Sequence, residues 1–92
     1  MILPYCVYVL QSQKDFLLYH GYSKNIENRI IDHNRGRTKS TRKRRPLKLI
    51  YCEYFMNKND AKRRESYFKT TQGKRMLKLL LRQTLKEINY PR

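Results

Sequence analysis

The sequence predicts an α+β fold in which a small three-stranded antiparallel sheet is flanked by about three helices, in the order β-β-α-β-α-α. Two β-rich runs lie on either side of a short polar link near the N-terminus, a pattern typical of a hairpin. One further β-rich run and three segments with helical spacing of apolar residues follow. The 92 residues are enough for one sheet and its helices, so we expect a single domain over residues 1–92.

Three local signals set the boundaries of the predicted elements. Gly21 interrupts the second strand near its end, which indicates a bulge or the close approach of a ligand backbone. Ser23 is the predicted N-cap of the first helix, and Gly73 is predicted to break the chain between the last two helices. The predicted strands are Tyr5–Leu10, Phe16–Tyr22 and Leu47–Phe55, and the predicted helices are Lys24–Asn34, Ala61–Thr71 and Lys74–Asn89.

The charge of the chain indicates a polyanionic partner. Lysine and arginine number 22 against seven aspartate and glutamate residues, a formal net charge of +15. Such an excess of positive charge destabilises the compact state by repulsion. Nucleic acid is the usual partner, because lysines and arginines that neutralise its phosphates release condensed counterions. We expect nucleic acid, in particular DNA, rather than a membrane as the partner. A ribosome-associated structural role or binding to an anionic membrane surface would also explain the positive charge, and both are alternatives to this interpretation.

The segment from Arg37 to Arg45 contains no apolar residue and is predicted to be an exposed loop that Pro46 closes. Contacts between such a loop and phosphates would position a duplex without reading its sequence. The alternative is a merely solvated loop. The candidate nucleic-acid-binding residues are Arg37, Lys39, Arg42, Lys43, Arg44 and Arg45.

The two cysteines do not indicate a zinc site or a disulfide framework. Cys6 and Cys52 lie half the chain apart, and no CxxC or His/Cys cluster has metal-site spacing. We expect both to be reduced, mostly buried thiols on neighbouring strands. The N-terminus lacks the features of a signal peptide, and no apolar stretch reaches 18 residues. A cytoplasmic location is therefore expected.

Glu65 is the most informative acidic residue. In the second predicted helix Ala61, Glu65 and Phe68 stand at i, i+4 and i+7, so the carboxylate shares the inward stripe. A carboxylate there is costly to desolvate unless something compensates its charge. One compensation is a hard cation such as Mg²⁺, which takes carboxylate oxygens and water. The other is a set of salt bridges with the neighbouring cations Lys62, Arg63, Arg64 and Lys69.

Arg29 and His33 border the apolar stripe of the first helix. At about 100° per residue both fall within roughly 60° of Ile26 and Ile30. An arginine can hold a phosphate through two donors, and a histidine can move a proton near neutral pH. The alternative is a solvated arginine beside a histidine bonded to backbone.

Tyr8 and Tyr19 lie on the two strands of the hairpin, where they can pair across it. Tyrosines in strands are usually packing residues. The pair points to chemistry only in combination with Arg29, His33 and Glu65.

Together these segments resemble the GIY-YIG nuclease domain, in the compact form of small stand-alone bacterial proteins. The similarity covers roughly residues 5 to 82, and the ordered set of motifs is more specific than any one of them. The matching segments are Cys6-Val7-Tyr8, Tyr19-His20-Gly21, the arginine helix Asn25–Asn34, the basic turn Arg45–Tyr51 and the glutamate helix Ala61–Glu65.

The resemblance implies a DNA endonuclease, structure-directed or weakly sequence-specific, that uses one divalent metal, Mg²⁺ or Mn²⁺. It implies that Glu65 holds the metal and that Arg29 steadies the scissile phosphate. Tyr8 or Tyr19, with His33 as a further candidate, would activate the attacking water. Such domains often take their specificity from elsewhere, so a partner protein is a further expectation.

Two positions depart from the family pattern. His20 is the middle residue of the second motif, and strand alternation points it away from its neighbours. The family's late asparagine has no evident counterpart, because Met76 and Leu77 occupy its neighbourhood, and Gln72 is the candidate substitute. A non-catalytic nucleic-acid-binding module on the same fold therefore stands as the alternative function.

Overall fold

The computed structural model describes residues 3–91 and has the predicted α+β class and element order, with a fourth helix at the end. The structure therefore confirms the expected sheet of three antiparallel strands with flanking helices. Its elements are β1 (Tyr5–Ser12), β2 (Leu18–Ser23), α1 (Ile26–Asn34), a 3₁₀ turn (Arg42–Arg44), β3 (Leu47–Phe55), α2 (Lys58–Phe68), α3 (Thr71–Leu80) and α4 (Arg82–Glu87).

Strand β1 forms the middle of the sheet, whose strand order is β2-β1-β3. Residues 6–12 of β1 are all buried, which explains why its first part is a continuous apolar run rather than an alternating one. The register places Tyr8 opposite Gly21 on β2 and opposite Cys52 on β3. Strand β2 is thus an edge strand that pairs only with β1.

Alternation along β1 builds one apolar cluster on each face of the sheet. Val7 and Val9 face α2 and α3, where they pack with Ala61, Phe68 and Leu77. On the opposite face the cluster is formed by Cys6, Tyr8, Leu10 and Leu47, with Ile26 and Ile30 of α1 packed against it. Helices cover both faces, so the side chains of β1 are shielded from solvent.

The start of α1 differs from the prediction because a side-chain turn precedes the helix. The N-cap is Asn25, whose Oδ1 accepts a hydrogen bond from the Asn28 amide at 3.1 Å. Ser23 instead accepts from the Asn25 amide at 2.9 Å and closes the turn that leads from β2 into the cap. Ser and Asn are both good caps, so composition alone does not separate them.

The hairpin boundaries also shift, because β1 extends to Ser12 and β2 begins at Leu18. Phe16 has φ 62°, a left-handed conformation that does not fit a strand. Its amide donates to the Ser12 carbonyl at 2.9 Å within the turn. The predicted strand start at Phe16 is therefore wrong.

Gly73 lies inside α3, so the prediction that it breaks the chain is wrong. Thr70 is the N-cap of α3, and its Oγ1 accepts from the Gly73 amide at 3.0 Å. A Cβ on residue 73 would lie 1.8 Å from the Tyr67 carbonyl oxygen, so the glycine allows α3 to pack directly against the end of α2. The break falls instead at Leu81, which divides the predicted last helix into α3 and α4.

The two cysteines are free thiols, as expected, and they lie on adjacent strands. Cys6 is buried and Cys52 is half-buried. Within residues 3–91, no helix combines the length and the apolar character needed to cross a membrane.

Replacing Gly73 by alanine tests the close packing of α2 and α3. Overpacking against backbone costs about 1–3 kcal/mol, and we expect Gly73→Ala to reach the upper part of that range. The free energy of unfolding is measured in urea. Gln72→Ala is the matched control, since residue 72 is exposed in the same helical turn and should change stability by less than about 0.5 kcal/mol. Equal stability of the two variants would contradict the packing.

Candidate active site

The phenol of Tyr8 lies directly over the backbone of Gly21 on the neighbouring strand. A Cβ on residue 21 would stand 2.3 Å from Tyr8 Cζ and 2.4 Å from its hydroxyl oxygen. The pairing of β1 with β2 is regular at this point, and the bulge of the sheet lies between Val9 and Leu10 in the pairing with β3. The close approach predicted at Gly21 is therefore made by a side chain of the protein itself, and the expectation of a bulge or a ligand backbone there is wrong.

A chain of hydrogen bonds runs from Arg29 through Tyr8 and His33 to Thr41. Arg29 Nε donates to the Tyr8 hydroxyl at 3.4 Å. The same hydroxyl lies 2.8 Å from His33 Nε2, and His33 Nδ1 lies 2.7 Å from the Thr41 hydroxyl oxygen. Tyr8, His33 and Thr41 are fully buried. Three elements, β1, α1 and the loop before β3, are thus joined by polar contacts out of solvent.

The electrostatics of this chain fix where its protons lie. Burial raises the pKa of Tyr8 to about 12, although the hydrogen bond from Arg29 opposes the shift. Burial, and then the charge of Arg29, lower the pKa of His33. At neutral pH Tyr8 is therefore protonated and His33 is neutral. In the tautomer with the proton on Nδ1, the Tyr8 O–H donates to His33 Nε2 and the His33 Nδ1–H donates to the Thr41 hydroxyl oxygen.

Thr41 is a site residue that the sequence did not reveal. It lies in the segment Arg37–Arg45, which was expected to be wholly exposed, yet its side chain is completely buried. It precedes the 3₁₀ turn that begins at Arg42. Nothing in the local sequence distinguishes it from Thr38, because its role depends on the distant His33.

Tyr19 completes the aromatic part of the cluster on the same face of the sheet. Its ring centroid lies 5.2 Å from that of His33 in an edge-on arrangement and 6.5 Å from that of Tyr8. Unlike Tyr8, it is only half-buried. It is thus the phenol of this pair that solvent can reach.

Arg29 places a cation at the rim of the cluster. It is half-buried on α1, and no carboxylate among residues 3–91 forms an ion pair with it. The hydrogen bond to Tyr8 raises its pKa and holds it through Nε. The two terminal nitrogens of the guanidinium make no hydrogen bond within the described part of the chain, which leaves them able to bind an anion.

Glu65 approaches the cluster from α2, on the other face of the sheet. Burial is the main cause of the raised pKa values of Tyr8 and Tyr22, and the negative charge of Glu65 adds to both shifts. Its side chain is 22% exposed, so it is neither sealed in the core nor turned to bulk solvent. The Glu65 carboxylate therefore acts electrostatically on a phenol from each face of the sheet.

The predicted salt bridges account for Glu65 only in part. Arg63 pairs with Asp60, Arg64 makes a two-bond pair with Glu53, and Lys62 stands 5.5 Å from the ring of Tyr22. Only Lys69 pairs with Glu65, at 3.3 Å and with its own side chain 58% exposed. Exposed i, i+4 pairs contribute about 0.3–0.5 kcal/mol, too little to prevent the carboxylate from binding another cation.

The donor set at Glu65 fits a hydrated Mg²⁺ or Mn²⁺ rather than a metal enclosed by protein ligands. No group of three or more metal-binding side chains occurs within residues 3–91. Magnesium commonly binds through one or two carboxylates and keeps several waters. The Tyr22 hydroxyl is buried near this carboxylate without a hydrogen-bond partner in the described chain, and a water on such an ion would satisfy it.

The cationic loop, residues 37–45, is held in place by its own bonds. Arg37 pairs with Asp32 at 2.8 Å and Arg44 pairs with Asp15 at 2.8 Å. Arg42 Nε donates to the Gly36 carbonyl at 3.0 Å, and Arg45 Nε donates to the Arg42 carbonyl at 2.8 Å. Lys39 and Lys43 are exposed. The six candidate nucleic-acid-binding residues therefore lie on a folded surface, on which two charges are partly neutralised.

His20 faces away from the cluster, as strand alternation predicted. Its ring lies 6.1 Å from that of Phe68 on the α2 face of the sheet. Burial lowers its pKa to about 4, and the charges of Lys74 and Lys69 add to the shift. Gln72 lies in the first turn of α3 and is exposed.

The sheet brings a buried tyrosine to a histidine and an arginine, and a carboxylate stands on the helix that covers the opposite face, so the domain offers groups for binding a phosphate and a metal ion. The chain belongs to the GIY-YIG family, because the GIY-YIG catalytic domain matches residues 4–78. This family membership confirms the resemblance found in the sequence.

Several relatives carry the name UPF0213. The chain is 45% identical over 85 residues to a UPF0213 protein of Clostridium perfringens, covering 91% of this chain and 90% of that protein. It is 45% identical over 75 residues to a UPF0213 protein of Staphylococcus saprophyticus, covering 80% and 90%. The solution NMR structure of a UPF0213 protein from Bacillus halodurans superimposes with a TM-score of 0.53 at 33% identity, covering 83% of each chain.

Replacing Thr41 by valine tests the buried hydrogen-bond chain. The variant leaves the Nδ1–H of His33 buried without an acceptor, which costs about 1–3 kcal/mol of unfolding free energy. Thr38→Val is the matched control, at a half-buried position of the same loop. Nitrogen NMR of the His33 ring should also show a changed proton distribution in Thr41→Val alone. An unchanged ring spectrum would contradict the assignment.

The depressed pKa of His20 predicts acid sensitivity. An unfolded histidine titrates near 6.5, so below that pH the unfolded state binds a proton that the folded state accepts only near pH 4. Stability is therefore present above pH 6.5 and is lost as the pH falls towards 4. We expect the free energy of unfolding to drop by about 2 kcal/mol more between pH 7 and pH 5 in the wild type than in His20→Gln. Parallel pH curves for the two proteins would refute this.

Proposed function

We propose that the protein is an endonuclease that hydrolyses phosphodiester bonds of DNA with Mg²⁺ or Mn²⁺, in a structure-directed or weakly sequence-specific manner. The observation that carries the proposal is the convergence of Arg29, Tyr19 and Glu65 around the buried phenol of Tyr8. These groups supply an anion-binding cation, a phenol within reach of solvent and a carboxylate for a metal.

We assign the activation of the attacking water to Tyr19. Tyr8 and His33 are fully buried, so neither can contact a water held on a bound substrate without movement. Tyr19 stands beside them and is half-buried. A phenol that activates a water needs the help of a nearby cation or a metal ion. Tyr8, His33 and Thr41 then act as positioning residues that hold Arg29 and support Tyr19.

Arg29 is assigned to the scissile phosphate. Its Nε is held by Tyr8, and its terminal nitrogens make no hydrogen bond within residues 3–91. A fixed guanidinium can bind a phosphate through two donors and stabilise the additional charge of the transition state. Its raised pKa keeps the Arg29 guanidinium charged at neutral pH.

Glu65 is assigned to the metal. When bound, a divalent ion polarises the phosphoryl oxygen and stabilises the leaving group. The weak pairing with Lys69 supports this assignment, because Lys69 can leave the carboxylate without uncovering a buried charge.

Loss of catalysis without loss of binding is the expected signature of the site. With Mg²⁺ the wild type should cleave plasmid or branched DNA, and a chelator should abolish the activity. Glu65→Gln should abolish cleavage and leave DNA affinity equal or higher, since it removes a negative charge. Arg29→Ala and Tyr19→Phe should each lower the rate about 100-fold or more. Product formation on gels and fluorescence anisotropy give the rate and the affinity.

Two controls sharpen the experiment. Glu27→Gln neutralises an exposed carboxylate in the first turn of α1 and should keep the wild-type rate. Tyr8→Phe keeps the ring over Gly21 while losing the bonds to Arg29 and His33, and should lower the rate less than Tyr19→Phe. Cleavage that persists in Glu65→Gln contradicts the proposal. Salt-sensitive binding with no cleavage of any substrate would favour the non-catalytic module.

Three further expectations belong to the same proposal. We retain a single domain over residues 1–92, because both apolar clusters are built on β1. A cytoplasmic location and a protein partner that supplies specificity stay predictions. Fractionation of cells and co-purification with the tagged full chain would test them.

A further inference from the structure

The C-terminal helices carry a second concentration of positive charge, apart from the cationic loop. Residues 66–86 contain six lysines and arginines and no acidic residue. Of the seven acidic residues in the chain, five form ion pairs in the described part, and none of those five lies after Glu65. The charge of this segment is therefore largely uncompensated.

Four of these cations form a regular series. Lys74, Lys78, Arg82 and Lys86 recur every fourth residue along α3 and α4, and all are exposed. The neighbouring stripe contains Gly73, Leu77 and Leu81, which are buried against the sheet and α2. The packing of that stripe holds the four cations, here called the C-terminal cationic row, on the exposed side of α3 and α4.

Two surface grooves lie beside this row. Lys78 and Tyr90 line both of them, and Lys78 Nζ stands 5.6 Å from the centre of the Tyr90 ring. The groove nearer the sheet is completed by Leu17, Leu18, His20, Lys74 and Leu77. The groove nearer the C-terminus is completed by Arg82, Leu85, Lys86, Asn89 and Pro91.

The row is connected to the candidate active site and lies across the hairpin from the cationic loop. Lys69, one turn after Glu65, contacts that carboxylate, and Lys74 follows at the start of the row. On one side of the hairpin, Asp15 of the β1–β2 turn forms an ion pair with Arg44 of the cationic loop. On the other side Gln11 Nε2 donates to the Ile88 carbonyl at 3.1 Å. Cationic surfaces therefore flank the hairpin that carries Tyr8 and Tyr19.

We propose that the C-terminal cationic row binds the phosphate backbone of DNA as a second surface, separate from the cationic loop. The inference rests on the proposed function. Successive cations within α3 or α4 are separated by a rise of about 6 Å, close to two 3.4 Å steps along one strand of B-DNA. The excess of cations over Glu87, the one acidic residue of α3 and α4, and the groove beside the row suit a polyanion better than a protein helix. Contacts on both sides of the hairpin would hold a duplex across the edge of β2.

A charge-matched pair of double variants tests the row. Lys78→Gln/Lys86→Gln removes two cations of the row, and Lys48→Gln/Lys58→Gln removes two exposed lysines from β3 and the start of α2. Binding to a duplex of about 30 base pairs is measured by anisotropy over a salt series. The slope of log K against log salt should fall by about 1.8 in the first variant, and affinity at 0.1 M salt should fall about tenfold or more. The second variant should match the wild type.

The outcomes separate this inference from the proposed activity. Equal effects of the two double variants would show that only net charge matters and would overturn the row. Weakened binding to vesicles of anionic lipid, with DNA binding unchanged, would also overturn it. If the wild type cleaves DNA while Lys78→Gln/Lys86→Gln keeps the wild-type slope, the inference fails and the proposed activity stands. If nothing is cleaved but the slope still falls, the row stands and the catalytic proposal fails.

Discussion

The packing of the Tyr8 phenol over the backbone of Gly21 is the contact on which the candidate site depends. Because residue 21 has no side chain, a ring that starts on the central strand can extend across its neighbour towards the edge of the sheet. There it meets Arg29 and His33 from α1 and comes near Glu65 from α2. A single missing Cβ thus allows a phenol of the central strand to reach the polar groups of α1.

Much of the fold followed from local patterns, because those patterns depend on neighbours in sequence. The hairpin, the order of elements and the inward stripe of α2 rest on periodicity, and the structure has all three. The prediction failed where a distant group decides the outcome. Gly73 behaves as a packing residue because the Tyr67 carbonyl lies against it, and that contact exists only once α2 and α3 have met.

The same division applies to the site. The sequence was enough to select candidate catalytic residues, because each has an unusual residue type for its position or a place in a known set of motifs. These candidates are Tyr8, Tyr19, Arg29, His33 and Glu65. Their separate tasks could not be chosen, because these depend on burial. Tyr8 and Tyr19 occupy similar positions in the hairpin sequence, yet Tyr8 is fully buried and Tyr19 is half-buried. Thr41 was missed for the same reason.

The internal bonds of the cationic loop have a consequence for the thermodynamics of recognition. A flexible basic segment loses conformational entropy when a ligand orders it, at about 0.5–1.5 kcal/mol for each immobilised side chain. Here Thr41 is fixed by His33, and two arginine side chains are bonded to backbone carbonyls before any ligand arrives. Association with a polyanion would therefore immobilise few additional side chains of the loop. The temperature dependence of binding would then be governed mainly by the release of ions and water.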